Sequence, residues 1–336
     1  MSDPGHRDQR GDQRDELVKR FGTGDRRALA RLITLVENRA EDVPALMREI
    51  YPRGGRAAIV GITGPPGAGK STLGDRLIAH YRAAGRKVGV VAVDPSSPFS
   101  GGAILGDRVR MQAHFLDEGV FIRSLSTRGR HGGLARATRE VVHLLDAFGF
   151  DLVLVETVGV GQTELDVMRL VHTTVVVLVP EAGDTIQVMK AGLLEIADVF
   201  AVNKADREGA ARLKNELEVM LELRPGATWK VPVLLTEGHT GKGVDELAAR
   251  IDAHLATRPP SRGDDEAGAA RVAEWAEIVR DELGIRLDRA LGAGALPDVV
   301  ADLRSGRTDP YSAAIAVLGD GDGVAALLSG RRGDRE

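Results

Sequence analysis

Apolar residues recur at three- and four-residue steps near both ends of the chain and form short unbroken runs through its middle. Leu29, Leu32, Ile33 and Val36 follow a capping Asp25, a spacing that predicts a helix with one buried face. A second helix is expected from about Asp42 to Ile50, ended by Tyr51-Pro52-Arg53-Gly54-Gly55. From residue 56 to about 257 the runs lie at 58–62, 88–93, 152–155, 174–179, 199–202 and 231–235. Most are continuous and β-rich, the pattern of strands buried on both faces of a parallel sheet. Helical segments alternate with them, so the expected fold class is α/β, a doubly wound and mostly parallel sheet with right-handed crossovers. Residues 258–265 read as a polar, proline-bearing linker. Beyond it Val272, Trp275, Val279, Leu283 and Leu287 mark a long helix, and Asp309-Pro310 opens a shorter one through Ala313 and Val317. Both chain ends are therefore expected to be all-α. The stripe from Val272 to Leu287 packs in its own domain or forms a two-fold interface, and spacing alone favours the first.

Residues 1–15 hold almost no apolar side chain, and this composition predicts a disordered tail. The expected organisation is then a tail at 1–15, a helical extension at 16–55, a central domain at 56–257 and a helical arm at 258–336. Zero Cys in 336 residues excludes a disulfide scaffold and a thiolate metal site, and it points to the cytoplasm. No run approaches the ~18 apolar residues of a membrane span, and a net charge of −4 gives no general attraction to nucleic acid. Neither a membrane nor a nucleic-acid partner is expected. The outlier is glycine, 41 of 336 or about 12% against a usual ~7%.

Many of those glycines sit in one kind of place. Gly64, Pro65, Pro66, Gly67, Ala68, Gly69, Lys70 and Ser71 fit G-x-x-x-x-G-K-[ST] between an expected strand and an expected helix that continues through Thr72. Small residues let backbone N–H groups wrap a polyphosphate, Lys70 reaches the β/γ-phosphates and the Ser71 hydroxyl ligates Mg²⁺. Asn203-Lys204-Ala205-Asp206 follows the run at 199–202. A carboxylate there accepts from the N1–H and exocyclic amine of guanine, a donor pair that adenine lacks, so GTP is favoured over ATP. Between the two motifs, Glu156 and Asp94 end expected strands, where open α/β sheets bind ligands, and Asp107 follows a glycine-rich stretch. These three acids, with Ser71, are the candidate Mg²⁺ ligands; with Lys70 they are the candidate catalytic groups.

The phosphate loop, VAVDPSS at 91–97, GGAILGDRVRM at 101–111, ETVGVGQ at 156–162, AGDTIQVMKAGLLEIAD at 182–198 and NKAD at 203–206 together resemble the methylmalonyl-CoA mutase-associated GTPases, the MeaB/ArgK family. The likeness spans about residues 26–255. It implies a P-loop GTPase core with helical extensions, and a chaperone that uses GTP to gate adenosylcobalamin loading and removal for an acyl-CoA mutase. The mutase acts on methylmalonyl-CoA or a close relative such as isobutyryl- or 2-hydroxyisobutyryl-CoA. The resemblance also implies a homodimer, a nucleotide role for Gly159, and a switch segment carrying Asp184 and Lys190.

One stretch departs from the family pattern. Where a Ser-Ala loop is usual the chain reads Thr236-Glu237-Gly238-His239, so Glu237 is unusual and the base contact there is expected to use backbone N–H groups near Gly238. Val160 stands where a water-orienting Gln would help, with Gln162 two residues on, and slow unassisted hydrolysis follows. Two other functions compete. A protein kinase of an amino-acid transport system fits the guanine motif poorly, and a nickel-type metallochaperone GTPase would be expected to show His- or Cys-rich segments, whereas the eight histidines are dispersed.

Overall fold

The computed structural model describes residues 4–38, 40, 42–94, 114, 116–126, 133–157, 159, 167–180, 192–223, 229–257 and 265–329. The chain divides into two compact units, Met1–Arg262 and Gly263–Glu336.

The first unit opens with α1 (Pro4–Gly22), α2 (Arg26–Glu37) and α3 (Val43–Ile50). Asp25 caps α2 as its spacing predicts, accepting from Arg27 N at 2.7 Å and Ala28 N at 3.3 Å. The helix α1 corrects the expected tail at 1–15. Averaged polarity misses its C-terminal end, where Val18 and Phe21 are buried in the core and Leu17 packs beside them. An anchored last turn offsets the cost of nucleating the helix, which then runs outward through a polar stretch whose Arg and Gln residues favour helix and whose glycines and aspartates do not.

Among the described residues seven parallel strands follow in the spatial order β3-β2-β4-β1-β5-β6-β7. They are β1 (Ala58–Thr63), β2 (Val88–Asp94), β3 (Val120–Ser126), β4 (Leu152–Thr157), β5 (Thr173–Leu178), β6 (Val199–Asn203) and β7 (Val233–Thr236). Between them lie α4 (Lys70–Ala83), α5 (Gly133–Phe148), the single turn α6 (Leu193–Ile196) and α7 (Ala210–Glu222), and α8 (Val244–Ala256) closes the unit. Alternation along the strands divides the core. Val153 and Val155 of β4 face α1, α2, α3 and α5, while Leu152 and Leu154 face the layer built on α4 and α8. The sheet is thus covered on both faces, which is why its strands read as unbroken apolar runs. The strand β3, absent from the sequence expectation, is an edge strand. Its Arg123 pairs with Glu37 of α2 and donates to Thr34 Oγ1 at 3.2 Å, so a polar residue interrupts the run.

Asp146 joins the helical extension to the sheet. Its carboxylate, 7% exposed, accepts from the backbone N–H groups of Gly55, Arg56 (3.0 Å) and Ala57 (2.8 Å) just before β1. Asp146→Ala leaves three donors without their acceptor and is expected to cost about 3 kcal/mol. Chemical denaturation should show a lowered midpoint for Asp146→Ala and a smaller loss for Asp146→Asn, which keeps one acceptor oxygen. Equal stability of Asp146→Ala and wild type would refute this role.

The second unit is helical among its described residues, with α9 (Asp265–Gly292), α10 (Pro297–Ser305), α11 (Pro310–Gly319) and α12 (Gly321–Ser329). Asp309 caps α11, accepting from Ser312 N at 2.9 Å. Val272, Trp275, Leu283 and Leu287 of α9 are exposed, Trp275 at 64%. No helix among the described residues is long and apolar enough to cross a membrane.

Candidate active site

Parallel strands deliver their C-terminal ends to one edge of the sheet, and the candidate residues lie there. After Thr63 the chain turns through residues 64–69 into α4, whose first residue is Lys70. Glycine is required at both ends of that turn. Gly64 has φ 146° and a Cβ there would lie 2.1 Å from the Val177 carbonyl oxygen; Gly69 has φ 87° and its Cβ would lie 2.4 Å from Asn203 Nδ2. The loop therefore lies close on the backbone of β5 and on the Asn203 side chain at the end of β6, and it runs directly into the N-terminus of α4. The Lys70 Nζ donates to the carbonyl oxygens of Gly64 (2.8 Å) and Pro65 (3.0 Å), curled over its own loop.

Ser71 and Glu156 meet. The Ser71 hydroxyl donates to Glu156 Oε1 at 2.6 Å, and each residue is only 6% exposed. Behind them a short hydroxyl chain joins two strand ends to the segment after β4. Thr157 Oγ1 donates to Thr63 Oγ1 at 2.9 Å, and Thr63 Oγ1 donates to Gly159 O at 3.1 Å. Asp94 ends β2 with its backbone in register with Ser126, but its side chain lies outside the described residues. Asp107, Val160, Gln162, Asp184 and Lys190 also lie outside them.

The NKAD turn begins at the end of β6. Asn203 spans two loops, its Nδ2 donating to Ala68 O at 2.8 Å and its Oδ1 accepting from Gly238 N at 3.0 Å. Lys204 has φ 56°, uncommon for a long side chain, and the turn is closed by Ala205 N bonding to Thr236 O at 3.0 Å and Arg207 N to Lys204 O at 2.9 Å. Asp206 is exposed, and one oxygen each of Asp206 and Glu237 and a ring nitrogen of His239 lie within 4.8 Å of one another. Glu237 is the residue that departs from the family pattern. Its carboxylate accepts from Lys242 Nζ and Thr240 Oγ1, both at 3.0 Å, and the Lys242 bond first, then Thr240, holds its pKa below the ordinary carboxylate range. Glu237 thus closes its own loop, and the Gly238 amide already serves Asn203.

A loop with glycine-enforced backbone, a buried lysine at a helix start, and a hydroxyl against a carboxylate lie at one edge of the sheet, and Asn203, which opens the Asn203–Asp206 turn, bonds to the same loop at Ala68 O. The sequence profile of the family described as methylmalonyl Co-A mutase-associated GTPase MeaB matches residues 29–291. The chain belongs to this family. A protein of Pyrococcus horikoshii named as a GTPase is 49% identical over 309 residues, covering 90% of this chain and 97% of its own. GTPase ArgK of Escherichia coli is 39% identical over 241 residues, 69% of this chain and 73% of that one. The mouse protein named methylmalonic aciduria type A homolog, mitochondrial, is 36% identical, covering 69% of this chain and 61% of its own. Among solved structures, that of a LAO/AO transport system kinase superposes with a TM-score of 0.64 at 26% identity, covering 90% of this chain and 95% of that one. This MeaB-family protein is a GTPase with a seven-stranded P-loop fold.

Proposed function

We propose that the protein is a GTP-driven chaperone that gates adenosylcobalamin loading and removal for an acyl-CoA mutase acting on methylmalonyl-CoA or a close relative. The observation that carries a switching role is the Ser71–Glu156 contact, because Glu156 is the last residue but one of β4, three residues before Gly159. A change of ligand at Ser71 is felt at Glu156, and through Thr157 and Thr63 at the Gly159 carbonyl. The family's association with methylmalonyl-CoA mutase supports the choice of partner.

In this reading the backbone N–H groups of Gly67, Ala68 and Gly69 and the Lys70 Nζ bind the phosphates, with Lys70 exchanging the Gly64 and Pro65 carbonyls for phosphate oxygens. Asp206 reads guanine, with Asn203 and Lys204 as the other members of the base site. Ser71 and Glu156, with Asp94 and Asp107, suit Mg²⁺, since a hydroxyl and carboxylates are all hard oxygen donors. Mg²⁺ when bound would neutralise charge on the β- and γ-phosphates. Ser71 would offer the ion a hydroxyl lone pair and Glu156 a carboxylate oxygen, the two groups being in contact already. Asp184 and Lys190 belong to the segment that reports nucleotide state to the mutase. The position after Gly159 is Val160, whose side chain holds no hydrogen-bonding group to orient water. Single-turnover GTP hydrolysis is therefore expected to be slow alone and faster by about tenfold or more with the cognate mutase, whose surface completes the site. Equal rates with and without the mutase would reject this reading.

The exposed apolar face of α9 is where we place a second copy of the chain. Sedimentation at several concentrations is expected to show a dimer, and a monomer throughout would remove it. A phosphotransferase reading draws on the likeness to the LAO/AO transport system kinase. Radiolabelled GTP separates the two, since a kinase leaves label on a protein acceptor and a GTPase releases it as phosphate.

A further inference from the structure

The loop that follows β7 carries a contact from an unexpected quarter. Arg76 lies on α4, six residues after Lys70, and its guanidinium crosses to that loop. Its Nε donates to Gly238 O at 3.1 Å and its Nη2 donates to His239 O at 2.6 Å. The same loop lies close on the first turn of α4, since a Cβ at Gly238 would come 3.4 Å from Thr72 Cγ2 and 3.5 Å from Leu73 N.

We propose that Arg76 is a positioning residue for guanine binding, which locks the 238–239 backbone to the helix that begins at the phosphate-binding Lys70 and Ser71. The proposal rests on the reading of Asp206 and the neighbouring loop as the guanine site. Two adjacent carbonyls held by one planar cation fix the peptide between them, and hence the direction of its N–H, relative to α4. That N–H belongs to His239, the residue whose ring approaches Asp206. Asn203 fixes the preceding amide to the phosphate loop, so the two contacts clamp the loop from both sides. A base then meets donors already aimed, and the ordering cost is met during folding rather than at binding.

Arg76 is well placed for a clean test. It is on the exposed face of α4, while Leu73, Leu77, Ile78 and Tyr81 form the buried face, so its replacement leaves the core intact. Arg76→Gln shortens the reach and removes the fork. Fluorescent GDP and ADP analogues titrated onto the wild type and Arg76→Gln read the base and phosphate contributions separately. The expected result is a GDP Kd raised about tenfold in the variant, an ADP Kd changed less than twofold, and GTP hydrolysis with raised KM at nearly constant kcat. An unchanged GDP Kd would overturn the proposal. So would an equal loss of GDP and ADP affinity, which would place Arg76 in support of α4 as a whole. A wild type that binds GDP and ADP equally would overturn the guanine reading itself, and this proposal with it.

Discussion

Lys70→Ala is expected to reduce single-turnover GTP hydrolysis by roughly 100- to 1,000-fold, the usual size for loss of one aimed charge in a transition state. The Nζ is 2.8–3.0 Å from two carbonyls of its own loop and sits on a residue only 6% exposed. An ammonium in such surroundings keeps its direction fixed, and a phosphate arriving in the loop replaces carbonyl partners with stronger ionic ones. Alanine removes the charge without altering the glycine-enforced path of residues 64–69, so the variant should fold. Circular dichroism and thermal unfolding close to wild type, with hydrolysis nearly abolished, is the expected pattern. Hydrolysis within threefold of wild type would mean that catalysis lies elsewhere.

Asp206→Asn is expected to lower GDP affinity on the order of 1,000-fold, because a site built on buried or aimed acceptors discriminates strongly once one becomes a donor. Guanine offers N–H groups at N1 and C2, and the Asn amide can face only one of them with its oxygen. Its NH₂ confronts the other. A xanthine base carries a carbonyl at C2 and turns that clash into a hydrogen bond, so xanthosine diphosphate should bind the variant better than GDP does. Asp206 is exposed, and its change leaves the Asn203 and Ala205 contacts of the turn in place. Competition titration of the two nucleotides on wild type and variant reads the swap, and an unaltered preference for GDP would show that the base is read by other groups.

Features made by near neighbours were legible in the sequence. The loop from Gly64 to Ser71 and the Asn203–Asp206 turn each need particular residue types within a few positions, and strands covered on both faces announce themselves as apolar runs. What escaped depends on partners far along the chain. β3 hides because Arg123 and two serines break its run, and only Glu37, 86 residues earlier, explains the arginine. The helix α1 hides because a few apolar residues at its end decide the matter against an otherwise polar stretch. Glu237 looked anomalous by family pattern, yet Lys242 and Thr240 make it the closure of its own loop. Arg76 has no motif; its partners lie 162 and 163 residues away.

The burial of α2 against α5 and β4 has a consequence for how the protein is made. Leu29, Leu32, Ile33 and Val36 share one buried cluster with Val141, Leu145 and Val153, which leave the ribosome more than a hundred residues later. At ordinary rates of synthesis that delay is on the order of ten seconds. During it an apolar helix face is on offer to whatever lies nearby. Until β4 emerges, that face lacks the sheet it is buried against in the finished protein.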